Sequence, residues 1–387
     1  MTANDKKIIL LVLGLMAFLA NGDNYAAAPL IINIAKDLNL SLTTAATSVT
    51  AYMLSFGLFT ILFGPLGDRF GKTKIINIAA FGTAIFSMLG AFAFNLSSLV
   101  FFRAVNGAFG AGIFPVTMAL IGEIFEQSER QKSIGKVMGM MFLGGASATF
   151  IGGIIAYFGS WRAVYFLYGL GELILAIVMF KKLPKLPGII NHLELTGVYK
   201  KALSNVKLIS VVSTIMLVGF SVFGSFTYTG KFIQSKTGYN ILIVGIILTS
   251  FGIATVVGGR IAPKLKNNLK NKFLLVMGLI GSASLYLLSQ TNSTLFIVIA
   301  LFGFGLAFVS LQSTLVSTSQ ETMPNLRGTA MSLASFNMFI GGAIGTSING
   351  KIINYYNNFS YVFIGASIAM LIVSFIATYT VNNASKK

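Results

Sequence analysis

Cysteine is absent from the 387-residue chain, and histidine occurs once, as His192. Without cysteine there is no disulfide framework, no thiolate nucleophile and no Cys-ligated metal site. A single histidine, in a polar stretch where it reads as solvated, leaves almost no basis for a His-built metal site or a catalytic triad. Charge is equally scarce. Asp, Glu, Lys and Arg make up 10% of the residues, against about 25% in a soluble domain. Acidic residues are the rarest class, 10 against 28 basic, for a net charge of +18. That excess forms no stripe with interleaved aromatics, so a nucleic-acid partner is not expected.

What the chain has in abundance is hydrophobicity: 55% of residues, with a mean hydropathy of +0.82. Apolar stretches of about 20 residues, each enough for a membrane-spanning helix, recur along its whole length. Breaks at charged and turn residues place spans near 8–32, 47–66, 75–94, 97–119, 134–157 and 162–180. A second set follows near 207–231, 240–261, 273–290, 294–317, 329–352 and 359–380. The first span imitates a signal peptide, with Lys6-Lys7, an apolar stretch and Ala26-Ala27-Ala28. Its apolar character resumes through Pro29 to Ile32, and a retained first helix is the expectation.

The basic residues set the direction. With the N-terminus cytoplasmic, only Lys36, Arg162, Lys231, Lys236 and Lys351 fall outside, and Arg103 lies within a span. The positive-inside rule then puts both termini in the cytoplasm of a plasma-membrane protein. The longest polar segment reads as a cytoplasmic linker, 181–206, between six-helix halves at 1–180 and 207–387. The halves repeat weakly. Arg130, Gly153 and Phe166 recur 197 positions later as Arg327, Gly350 and Phe363, while Gly64 and Arg69 recur 195 later as Gly259 and Lys264. Same-direction repeats of six helices predict an all-α membrane protein of two bundles, related by a pseudo-twofold axis along the membrane normal. A substrate site is expected between them.

Between spans two and three the chain reads GPLGDRFGKTK, Gly64 to Lys74. Glycines at 64, 67 and 71 permit close helix approach. Asp68 can pair with a cation or a helix N-terminus, and Arg69 and Lys72 hold the loop on the basic side. At this topological place the pattern closely resembles the signature of the major facilitator superfamily. Arg103, Asn106, Gly107, Gly110 and Gly112 are similar to that family's second motif. Span one with Asp23, followed by Pro29 and then Asp37 just beyond its end, and Trp161, Arg162 and Phe166 at the start of span six resemble its drug–proton antiporter branch. The resemblance implies a transporter whose two bundles rock between inward-open and outward-open states, with Asp68 steadying one state. Glu123 and Arg130 are expected in the same bracing. One departure stands in span five: Gly152-Gly153 is present, but Ala148-Thr149 occupies the place of the branch's Gly-Pro pair.

Ionisable residues inside spans cost about 2.5–3.5 kcal/mol each at a helix centre, which makes the few present informative. Asp23, in the polar interruption Asn21 to Tyr25, and Glu172, ten residues into span six, are the candidate proton carriers; Arg103 is their charge partner. Asn21, Asn24, Tyr25, Tyr52, Tyr228, Gln312 and Asn337 are candidate substrate-cavity residues from polarity and depth. The leading expectation is proton-coupled efflux of small amphipathic molecules. A sugar, nucleoside or metabolite carrier, with Lys231 near the outer end of span seven, is the alternative. No nucleophile–base pair or phosphate-cradling glycine loop points to an enzyme. Neither a cofactor nor a metal is called for, and a monomer is expected.

Overall fold

The computed structural model describes residues 3–158, 160–190 and 195–384; His192 lies outside them. Thirteen α-helices are described: α1 (Ala3–Asp37), α2 (Leu42–Phe70), α3 (Lys72–Gly90), α4 (Leu96–Ile124), α5 (Gln127–Phe158), α6 (Trp161–Lys182), α7 (Leu195–Leu203), α8 (Val206–Thr237), α9 (Ile241–Leu269), α10 (Phe273–Gln290), α11 (Thr294–Thr322), α12 (Arg327–Tyr356) and α13 (Ser360–Ala384). Twelve are long; α7 is a short piece of the connection between the halves. Ten apolar stretches can cross a bilayer, Leu242–Gln290 containing both α9 and α10, and α5 adds another as Gln127–Ala148 with Phe150–Ala156.

Most of the long helices overrun the hydropathic spans because their ends are set by caps, whereas hydropathy reports depth in the bilayer. Ser41 accepts from Thr44 N at 3.1 Å and starts α2 five residues before its apolar span. Asn95 and Ser98 cap α4 reciprocally. Asn205 and Asn240 accept from the third helical N–H of α8 and α9. A 3₁₀ turn at Lys270–Lys272 reverses the chain into α10.

Each half packs alike: α1 on α5, α2 on α4, and α3 against α4 and α6, mirrored by α8 on α12, α9 on α11, and α10 against α11 and α13. Two seams join the halves, α2 with α12 and α5 with α9. Both are made by small residues, since lipid gives helices no hydrophobic reason to associate and close van der Waals contact must do it. Gly135 of α5 faces Gly259 of α9 so tightly that a Cβ on either would meet the other's backbone. Large apolar side chains such as Leu54, Phe94, Phe101 and Phe375 point outward, as a lipid-facing surface requires.

Candidate functional site

Asp23 and Glu172, near the middles of α1 and α6, meet Arg103, two turns into α4, and all three are fully buried: Asp23 at 1% exposure, Arg103 and Glu172 at 0%. Arg103 Nη1 lies 3.3 Å from Asp23 Oδ2. It also reaches Asn106 Oδ1 at 3.4 Å, and Asn106 is fixed in turn by donating to the Thr83 carbonyl at 2.8 Å. The guanidinium sits between two aromatic faces, 4.4 Å from the Tyr52 ring centre and 5.0 Å from that of Tyr165. Such stacking suits arginine better than lysine.

Glu172 is different. Neither carboxyl oxygen has a hydrogen-bond partner among the described residues, and the hydroxyls of Tyr165 and Tyr168 and two guanidinium nitrogens of Arg103 are likewise unpartnered. Glu172 lies within the electrostatic reach of both Asp23 and Arg103. Buried polar groups are normally paired, so a cluster of orphans marks a place where something else binds or moves.

Beside this cluster, between the halves, is a small cavity lined by Asn21, Asn24, Tyr52, Phe56, Met141 and Phe339, among others. Its volume of about 20 Å³ is that of roughly one water molecule, so the centre is contracted. Of the expected cavity residues, Asn21, Asn24 and Tyr52 line it. Tyr25 packs between α1 and α5 against Gly145. The others lie elsewhere: the Tyr228 hydroxyl donates to the Thr346 carbonyl, Gln312 Nε2 points to Met338, and Asn337 bonds within its own helix. A chain of aromatic rings crosses the interface here. Phe56 of α2 meets Phe339 of α12 edge-on at 4.9 Å, Phe339 stacks on Phe223 of α8, and Phe223 and Phe142 both touch Phe308 of α11. These five phenylalanines were not singled out from the sequence. The repeat held a signal for one pair, since Phe142 and Phe339 stand 197 positions apart.

At the face carrying both termini the halves are latched. The Asp68 carboxylate accepts from Gly328 N at 3.0 Å, Thr329 N at 2.8 Å and the Thr329 hydroxyl at 2.9 Å. It thus sits on the positive N-terminus of α12. Lys72, 2% exposed, bridges Asp68 at 3.3 Å and Glu123 at 2.7 Å. One turn deeper Ser332 donates to the Thr60 carbonyl and accepts from Gly64 N. Gly64 and Gly328 cross with no room for a Cβ. Gly67, Arg69 and Gly71 serve the loop itself. Arg69 donates to the Ile190 carbonyl, Ile189 N and Ile190 N donate to the Asp68 carbonyl, and Gly71 at φ +92° lies under Leu186. Arg130 joins neither Asp68 nor Glu123; it lies among Arg327 and Glu321.

Two six-helix bundles with a contracted cavity between them, buried carboxylates beside it in the N-terminal bundle and one latched face define a membrane transporter. The chain belongs to the Major Facilitator Superfamily, whose model matches residues 13–346. It is similar to the quinolone resistance protein NorB of Staphylococcus aureus (strain bovine RF122), 23% identical over 95% of this chain and 92% of NorB. The bicyclomycin resistance protein homolog of Haemophilus influenzae is 24% identical over 87% of each. The structure resembles that of the E. coli fucose:proton symporter with a TM-score of 0.77, at 14% identity, covering 98% of this chain and 99% of that one.

Proposed function

We propose that the chain is a proton-coupled exporter of small amphipathic molecules in the plasma membrane, with both termini cytoplasmic and residues 181–206 linking two rocking halves. The observation that carries the reading is Glu172: fully buried, without a hydrogen-bond partner and beside the Asp23–Arg103 pair. An ionised carboxylate so placed is penalised by several kcal/mol, so Glu172 holds a proton in this state. Arg103 pairs with Asp23 and lies within electrostatic reach of Glu172. When the centre opens and a substrate reaches it, water and the freed guanidinium favour the ionised form and the proton leaves. A proton crossing 100 mV supplies about 2.3 kcal/mol to bias the cycle. The aromatic chain from Phe56 to Phe308 offers adaptable apolar walls for substrates of varied shape. Drug-resistance proteins among the relatives support efflux as the direction.

Asn24, whose side-chain oxygen has no partner, favours a second reading, a carrier of hydroxylated metabolites. One experiment separates the two. Proteoliposomes holding a pH-sensitive dye are given lipophilic cations, neutral drugs, sugars and nucleosides, for the wild type, Asp23→Asn and Glu172→Gln. Compound-driven proton movement that Glu172→Gln abolishes is expected for cations or drugs. Equal transport with and without a pH gradient, and unaffected variants, would overturn proton coupling; a response confined to sugars or nucleosides would select the second reading.

A further inference from the structure

A groove of about 780 Å³ runs along the outer surface of the N-terminal half, between α2, α3 and α4. One face of α2 forms its length, from Ser55 through Phe59, Leu62 and Leu66 to Phe70. Fifteen steps of 1.5 Å make that roughly 22 Å, more than one leaflet of a hydrocarbon core about 30 Å thick. Its depth comes from Ala104 and Ala108, one turn apart on α4. The lining is almost wholly apolar, and no acidic side chain contributes to it among the described residues.

One end is charged. Lys74, in the first turn of α3 on the face carrying the termini, is part of the lining. Its ammonium lies 5.9 Å from the Phe70 ring centre, and the Arg69 guanidinium lies 5.4 Å from the same ring. The neighbouring acid cannot neutralise this end, because Asp68 is turned onto α12 and is fully buried there. Lys72, between them in sequence, is occupied by Asp68 and Glu123.

A long apolar trough ending in a lysine, with Arg69 against the same Phe70 ring just outside it, matches a molecule with an extended hydrocarbon chain and an anionic head. We infer that this groove is a binding site for an anionic phospholipid, one acyl chain lying along α2 over Ala104 and Ala108 and the phosphate meeting Lys74. The opposite face of α2 carries Gly64 and Asp68, so the bound lipid supports the helix that forms the latch. The site requires only that the chain lies in a bilayer, and it stands or falls separately from proton coupling.

The test counts lipids on the purified full-length protein by native mass spectrometry, with phosphatidylglycerol or phosphatidylcholine of identical chains added to the micelles. Wild type is expected to retain phosphatidylglycerol in preference to phosphatidylcholine. Lys74→Ala should lower phosphatidylglycerol retention about fivefold, the effect of one lysine at an anionic surface. Lys185→Ala, an exposed lysine outside the groove, should leave it unchanged. Ala104→Phe and Ala108→Phe, at half-buried positions of the groove, should expel both lipids. Equal losses in Lys74→Ala and Lys185→Ala would mean diffuse charge attraction only and overturn the site. Wild-type retention in folded Ala108→Phe would do the same.

Discussion

Replacing Asp68 by asparagine removes the charge on which the latch depends and keeps its shape. The carboxylate accepts three hydrogen bonds from α12, two of them from the first free N–H groups of the helix. Asparagine retains one acceptor oxygen and turns an NH₂ toward donors. A hydrogen bond to a charged group is worth about 1.5–3 kcal/mol, and a charge at a helix N-terminus up to about 2 kcal/mol in buried geometry. Lys72 keeps Glu123 as a partner, so it is not left unpaired. The expected loss is about 2–3 kcal/mol of the latched state, a population shift of roughly 30- to 150-fold. The absence of cysteine makes the readout clean. Spin labels on cysteines introduced at exposed Glu126 and Asn325, one in each half, report the separation at the face carrying the termini. Asp68→Asn should add a longer-distance population. Distance distributions unchanged from wild type would refute the latch.

The α5–α9 seam predicts a contrast between two glycines. A Cβ on Gly135 would lie 2.9 Å from the Gly259 backbone, whereas one on Gly57 meets nothing within 4 Å. Gly135→Ala should therefore cost about 1–3 kcal/mol and lower the melting temperature, while Gly57→Ala should hold or raise it; equal effects would contradict the packing. At the opposite face, hydrogen bonding by Arg162, aided by Trp161, holds the Asp37 carboxyl below the usual range despite some desolvation. A lowered folded value means the contribution is complete above the unfolded value near 3.9 and is lost as pH falls through the folded one. Asp37→Asn should be less stable than wild type at pH 7, with a gap that narrows only below about pH 4. A gap that widens on acidification would contradict the brace.

Much of the site is legible in the sequence because the membrane penalises what it does not need. Asp23, Arg103 and Glu172 stood out as charges in apolar spans, and they meet. GPLGDRFGKTK located the latch from one side. Its other side was invisible, since Gly328 and Thr329 lie some 260 residues away and look like any helix start. Helix ends were displaced because capping side chains, such as Ser41, act on backbone groups and leave hydropathy unchanged. The aromatic chain was hidden among 34 phenylalanines, for lipid-facing and interface positions use the same residue. The repeat explains one asymmetry as well: 195 positions after Asp68 stands Pro263, so the charged latch has no counterpart there, and the α5–α9 seam relies on glycines and on Lys266 donating to Gln131.

The role given to Glu172 is tested most directly by counting protons. Purified protein in a weakly buffered solution is mixed with saturating transported compound, and the protons released are measured with a pH indicator. About one proton per chain is predicted for the wild type and none for Glu172→Gln, with the compound still bound. Equal release by both, or none by the wild type on binding, would contradict Glu172 as the carrier.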